Sequence, residues 1–187
     1  MTAESIEKLK YPIGKFSIPH EVSPTELEEF IEIISNFPKK MEELVAGISD
    51  AQKLKTYRPE SWTLQQVVHH CADSHVNAYI RFRWALTEDN PTIKAYDENT
   101  WSQLPDANQP DLTDSLILIH GIHRRWTKLL RCLTLENFSR TFYHPESKKT
   151  YRLDQVLANY AWHCEHHLAH VAQALASEDV KEGSSIQ

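Results

Sequence analysis

The sequence predicts an all-α fold, a bundle of four long helices, on three observations. Four long stretches place apolar residues at spacings of three, four and seven, the period of amphipathic helices packed on one core. Only 4 of the 187 residues are glycine, too few for many tight hairpins or for Gly-rich phosphate loops. Hydrophobic residues make up 41% of the chain, enough to bury one core without disulfides or a structural metal. The length suits one domain spanning residues 1–187.

Residues 1–22 lack a helical stripe and contain Pro12 and Pro19, so they read as an extended N-terminal arm anchored by Tyr11, Ile13, Phe16 and Ile18. Ser23-Pro24-Thr25-Glu26 is a helix start: Ser23 caps, Pro24 suits the first turn, and Glu26 completes a capping box. The helix that follows carries Leu27, Phe30, Ile31, Ile34, Met41, Leu44, Val45 and Ile48, and Pro38 predicts a kink or break near Asn36-Phe37. A second helix opens at Ser61-Trp62-Thr63 and runs to about Leu86, with the stripe Leu64, Val67, Val68, Cys71, Tyr79, Phe82 and Leu86, and with His75 inside it.

Residues 87–110 form a long polar connection with Pro91, Pro105 and Pro110, suited either to a lid or to a surface excursion packed through Tyr96 and Trp101. The third helix begins near Asp111–Asp114 and continues through Leu133. Between 139 and 152, two short runs of β-formers flank His144-Pro145-Glu146-Ser147, which predicts a small hairpin or an irregular segment before the last helix. That helix covers Leu153–Ala176, and the polar tail 177–187 reads as frayed.

Composition removes several function classes. The formal charge of −6 supplies no basic footprint for nucleic acid or for a membrane-surface helix. The longest aliphatic run, Leu116–Ile119, is far short of a membrane span. Cys71, Cys132 and Cys164 are odd in number and widely spaced, and no apolar leader opens the chain; a reduced, cytoplasmic protein is expected. Cys71 and Cys164 lie on apolar helical faces, where a thiol is ordinarily inert.

The unusual residue is histidine, 11 in all. Trp162-His163-Cys164-Glu165-His166-His167-Leu168-Ala169-His170 offers two pairs at i, i+4, His163 with His167 and His166 with His170. Either pair can face one metal ion. At about 100° per residue, His167 falls inside the buried sector and His163 at its margin. His166 points nearly away and His170 lies further out, so both are expected nearer solvent, with an inward turn of His170 left open. A third ligand has to come from another helix. The second helix offers His69, His70 and His75; periodicity does not choose between the first two, and Asp73, at i+3 from His70, is placed to orient an imidazole. His120, His123 and His144 are weaker candidates. A lone histidine on an apolar face is ordinarily a hydrogen-bonded core residue, and His75 and His123 read that way. The HExxH and GxSxG patterns are absent, and Glu165 is not in the general-base position of the former.

Trp62, the run Val67-Val68-His69-His70-Cys71-Ala72-Asp73-Ser74-His75, and Trp162-His163 with His167 together resemble the DinB/YfiT superfamily of metalloenzymes, above all its YfiT-like metal-dependent hydrolases. Tyr11-Pro-Ile-Gly14, Tyr79-Ile-Arg-Phe82, Tyr96-Asp-Glu98, Trp101-Ser102, Arg125-Trp-Thr127 and Phe142-Tyr-His-Pro145 extend the likeness over nearly the whole chain. The resemblance implies a DinB-like up-down-down-up four-helix bundle, a homodimer, and one divalent ion per chain, nickel or zinc. It also implies the ligands His70, His163 and His167, and so decides for His70 over His69.

Three imidazoles leave an open coordination position, and water there is acidified to a pKa of roughly 7. The first reading is therefore metal-assisted hydrolysis of a small molecule, with no catalytic base identified. A second is a metal- and thiol-dependent transferase or isomerase, in which the same position binds a low-molecular-weight thiol. A third is a non-catalytic, stress-related metal-binding module.

Overall fold

The computed structural model describes residues 2–177. The frayed tail expected at 177–187 therefore lies outside the described residues, apart from Ser177. The elements in order are α1 (Ala3–Lys10), α2 (Pro24–Val45), α3 (Asp50–Lys53), α4 (Leu64–Thr87), α5 (Glu98–Trp101), a 3-10 turn (Asp106–Asn108), α6 (Thr113–Leu130), α7 (Leu135–Ser139), β1 (Thr141–His144), β2 (Lys149–Arg152) and α8 (Leu153–Ala176). The four long helices α2, α4, α6 and α8 form the bundle. Each of α2 and α4 packs against both α6 and α8, so α2 and α4 face each other across a diagonal.

The helix starts follow from local chemistry. Ser23 and Glu26 form a reciprocal capping box at α2, and Thr63 and Gln66 form one at α4, satisfying backbone donors that the first turn leaves free. Between the helices, Leu27, Ile31, Ile34, Phe37, Leu64, Val68, Phe82, Ile119, Trp126, Leu157 and Val171 are buried. The Phe82 and Trp126 rings meet edge to face at 5.3 Å. Strands β1 and β2 pair antiparallel as a hairpin, with Phe142 opposite Tyr151.

Two expectations about backbone course are corrected. The N-terminal arm is not extended throughout: residues 3–10 are helical, with Thr2 capping Ser5 N–H, Glu4 early and Lys8 and Lys10 late, an order that suits the helix dipole. Local capping forms this helix where no apolar stripe announces it. From Tyr11 the arm runs along α8, where the Trp162 indole N–H donates to Gly14 O at 3.1 Å and Gln155 Nε2 donates to Pro19 O at 3.0 Å. Of the kink or break expected near Asn36-Phe37, the break does not occur, because α2 continues through Pro38 to Val45. Proline removes one backbone donor and leaves the Ile34 carbonyl without its usual partner. His123 of α6 fills the gap, its Nδ1 standing 2.6 Å from Ile34 O.

The 87–110 connection is pinned at several points. Ile93 N–H donates to Tyr143 O and Tyr143 N–H to Pro91 O, which joins the connection to β1. Gln66 Nε2 donates to Ser102 O at 2.9 Å, and the Tyr96 and Trp101 rings pack at 4.4 Å. No helix of the described residues is long and apolar enough to cross a membrane.

Leu157 is fully buried on α8, so Leu157→Ala is expected to cost about 2–5 kcal/mol in urea unfolding. Ser23→Ala, which removes only a cap, is expected to cost about 1 kcal/mol.

Candidate metal centre

Three imidazoles converge where α4 meets α8. His70 comes from the first half of α4, and His163 and His167 stand one turn apart on α8. One ring nitrogen from each lies within 4.8 Å of those of the other two. His70 Nε2 and His163 Nε2 are 3.2 Å apart. Two imidazole nitrogens sharing a tetrahedral zinc at about 2.0–2.1 Å would stand about 3.3 Å apart, so this pair already has the spacing of one coordination edge. His167 Nδ1 is buried without a hydrogen-bond partner. The Nδ1 atoms of His166 and His170 are left the same way, so it is the donor set and the spacing that fit a divalent ion.

Burial also sets the protonation state. It pushes His70 down to about 4, aided by nearby His166, and holds His163 and His167 well below the ordinary imidazole value. All three rings are neutral at pH 7 and present lone pairs, the form a metal requires. The Trp62 ring, just before α4, packs 4.7 Å from the His70 ring and walls one side.

The other histidines divide clearly. His69 is committed elsewhere: its Nε2–H donates to Gln109 O at 3.0 Å and its Nδ1 accepts from Ser115 Oγ at 2.8 Å, which ties the 87–110 connection and α6 to α4. His166 is buried, contrary to the expectation from the helical wheel, and His170 is buried as well, the inward turn left open for it. The N-terminal arm and the Tyr57 segment cover the face the wheel assigned to solvent. His166 stacks on Trp162 at 4.2 Å, and Tyr11 lies beyond it at 6.1 Å. His170 stacks on Tyr57 at 3.8 Å and its Nε2–H donates to Lys10 O.

Asp73 hydrogen-bonds no imidazole among the described residues; the groups that bear on its carboxyl are Asp106 and His69. The group that holds a converging ring is His75, whose Nε2 is 3.1 Å from His163 Nδ1, and His75 Nδ1 is in turn 2.7 Å from His123 Nε2. Reading His75 and His123 as core residues is right about their burial, since both are fully enclosed. It misses their connection to the centre. The signal available was Pro38, whose missing N–H leaves a carbonyl for a buried donor. His120 pairs with Glu42 at the surface, and His144 lies on the hairpin.

A cavity of about 290 Å³ opens beside the centre, lined by His163, Tyr160, Arg81, Glu98, Phe142 and His144 among others. Arg81 is buried and its Nε has no hydrogen-bond partner. A larger hollow of about 940 Å³ between α2 and α6 contains none of the three converging histidines. Cys71 and Cys164 are buried free thiols, and burial raises both above the ordinary thiol value, which leaves them protonated and unreactive.

A sequence model of the DinB superfamily matches residues 34–171. The chain is 43% identical over 165 residues to "Putative metal-dependent hydrolase YfiT" of Bacillus subtilis, a match spanning 88% of this chain and 93% of that protein. It is also 43% identical over 170 residues to "Putative metal-dependent hydrolase OB0782" of Oceanobacillus iheyensis, spanning 91% and 98%. The solved structure of Bacillus subtilis YfiT, described as "a probable metal-dependent hydrolase with an unusual four-helix bundle topology", matches with a TM-score of 0.87 at 42% identity, over 89% of this chain and 95% of that one.

The buried imidazoles give stability a definite pH dependence. His70, His123 and His166 are held at about 4 and His170 at about 3, against 6.5 for a free imidazole. Below 6.5 the unfolded chain therefore binds more protons than the folded one, and stability is lost as pH falls. The melting temperature of metal-free protein is expected to be flat above about pH 7 and to drop steadily from pH 6.5 to pH 4. Calorimetry across that range checks this; a melting temperature unchanged down to pH 5 would contradict it.

Proposed function

Because this chain belongs to the DinB superfamily, we propose that it is a metal-dependent hydrolase in which His70, His163 and His167 hold one divalent ion, nickel or zinc, per chain. The observation that carries this reading is the convergence of three neutral imidazoles from two helices, with no fourth protein donor among the described residues in the group. When bound, the ion supplies a Lewis acid for a carbonyl-type oxygen and lowers the pKa of water at an open position to about 7.

The chain's own residues supply the rest. His163 is shared between the centre and the 290 Å³ cavity, so a small molecule seated there lies against the reacting position. Arg81 lines the cavity and brings a guanidinium to bear on an acceptor oxygen of that molecule. The Tyr160 hydroxyl, kept protonated by burial, donates to Ser74 O at 3.3 Å and completes a polar wall. Phe142 and Phe16 add apolar wall to the cavity.

Elemental analysis of untagged protein purified without chelator is expected to give about one divalent ion per chain. His70→Ala, His163→Ala and His167→Ala should each lose most of it. His69→Ala should retain it, because both nitrogens of His69 are engaged away from the centre. Wild-type metal content in all three centre variants would end this reading. Turnover of activated esters such as p-nitrophenyl acetate in buffer alone is the expected hydrolytic outcome, whereas strict dependence on an added thiol would assign transfer instead.

A further inference from the structure

A line of hydrogen bonds crosses the bundle and touches all four long helices. It starts at Ile34 O on α2, passes His123 on α6 and His75 on α4, and ends at His163 on α8. The separations are 2.6, 2.7 and 3.1 Å. His75 and His123 are fully enclosed. The Phe37 ring packs on both, at 5.0 and 5.1 Å, and Trp126 closes another side.

The direction of this line is set at its far end. A carbonyl oxygen only accepts, so His123 Nδ1 must carry the proton. In a neutral ring Nε2 is then a bare acceptor, so His75 Nδ1 must carry a proton toward it. The same step repeats once: His75 Nε2 is bare and His163 Nδ1 carries the proton. What remains on His163 is the Nε2 lone pair, 3.2 Å from His70 Nε2. The origin of the sequence is Pro38: a residue with a backbone N–H at position 38 would normally bond the Ile34 carbonyl within α2.

We infer that His75 and His123 are positioning residues, a histidine line anchored on the carbonyl freed by Pro38 that fixes the tautomer and tilt of His163 and turns its Nε2 toward the metal centre. The metal-facing part of this inference rests on the proposed function; the tautomer part does not. Metal-bound imidazoles commonly donate their second N–H to a partner that holds the ring and raises its basicity. Here that partner is an imidazole rather than a carboxylate, so the support adds no charge to the core.

The test uses the full chain, zinc-free, labelled with nitrogen-15 at histidine. Long-range proton–nitrogen spectra are expected to show His123, His75 and His163 all as the Nδ1–H tautomer. Finding His163 as Nε2–H overturns the inference whether or not the protein binds metal. Zinc affinity, measured by chelator competition, is expected to fall about 10–100-fold in His75→Phe, with His163 then populating both tautomers. His75→Gln keeps one donor and one acceptor, and should recover most of the affinity. A folded His75→Phe with wild-type zinc affinity and His163 still purely Nδ1–H overturns it as well. If His75→Phe fails to fold, the wild-type spectra alone decide. Absence of zinc binding in the wild type would defeat the proposed function and the metal-facing role together, and would leave the tautomer pattern to be judged by the spectra.

Discussion

Burying imidazoles without charge is the constraint on which this bundle is organised. A solvated histidine gains and loses a proton near neutral pH, but a desolvated one is held neutral, and a neutral ring has one donor and one acceptor that must each be used. His69, His75 and His123 meet this demand in full with protein partners, Ser115 and Gln109, His123 and His163, Ile34 and His75, and His170 meets half of it through Lys10. His166, His167 and His170 each retain a buried Nδ1 with no partner. Of these three rings, His167 is the one that also converges with His70 and His163.

The core and the centre are consequently one structure. Phe37 and Trp126 fill the apolar interior and also pack on His75 and His123. Loosening these rings would act on His163 through the rings they hold, without touching the centre itself. Proline within α2, ordinarily a defect, is tolerated because a side chain from α6 takes the carbonyl it frees.

The peripheral segments complete the site by covering it. The arm after α1 lies along α8 and shields His166 and His170, while the 87–110 connection and the hairpin form walls of the cavity beside His163. The cavity thus has five structural sources, α4, α8, the hairpin, the connection and the arm through Phe16 and Ile18, of which only the two long helices carry a strong periodic signal in sequence.

The long helices, their caps and the paired histidines of α8 are legible in the sequence because they depend on neighbours within a few residues: a serine three places before a glutamate, apolar residues every three or four positions, imidazoles one turn apart. Resemblance to a family adds His70. The burial of His166 and His170, the passage of α2 through Pro38, and the bond from His75 to His163 were decided only by tertiary structure. Each depends on a partner tens of residues away in the chain, such as Ile34 and His123 or Lys10 and His170, and a local pattern holds no record of which distant group will meet an unsatisfied donor or acceptor.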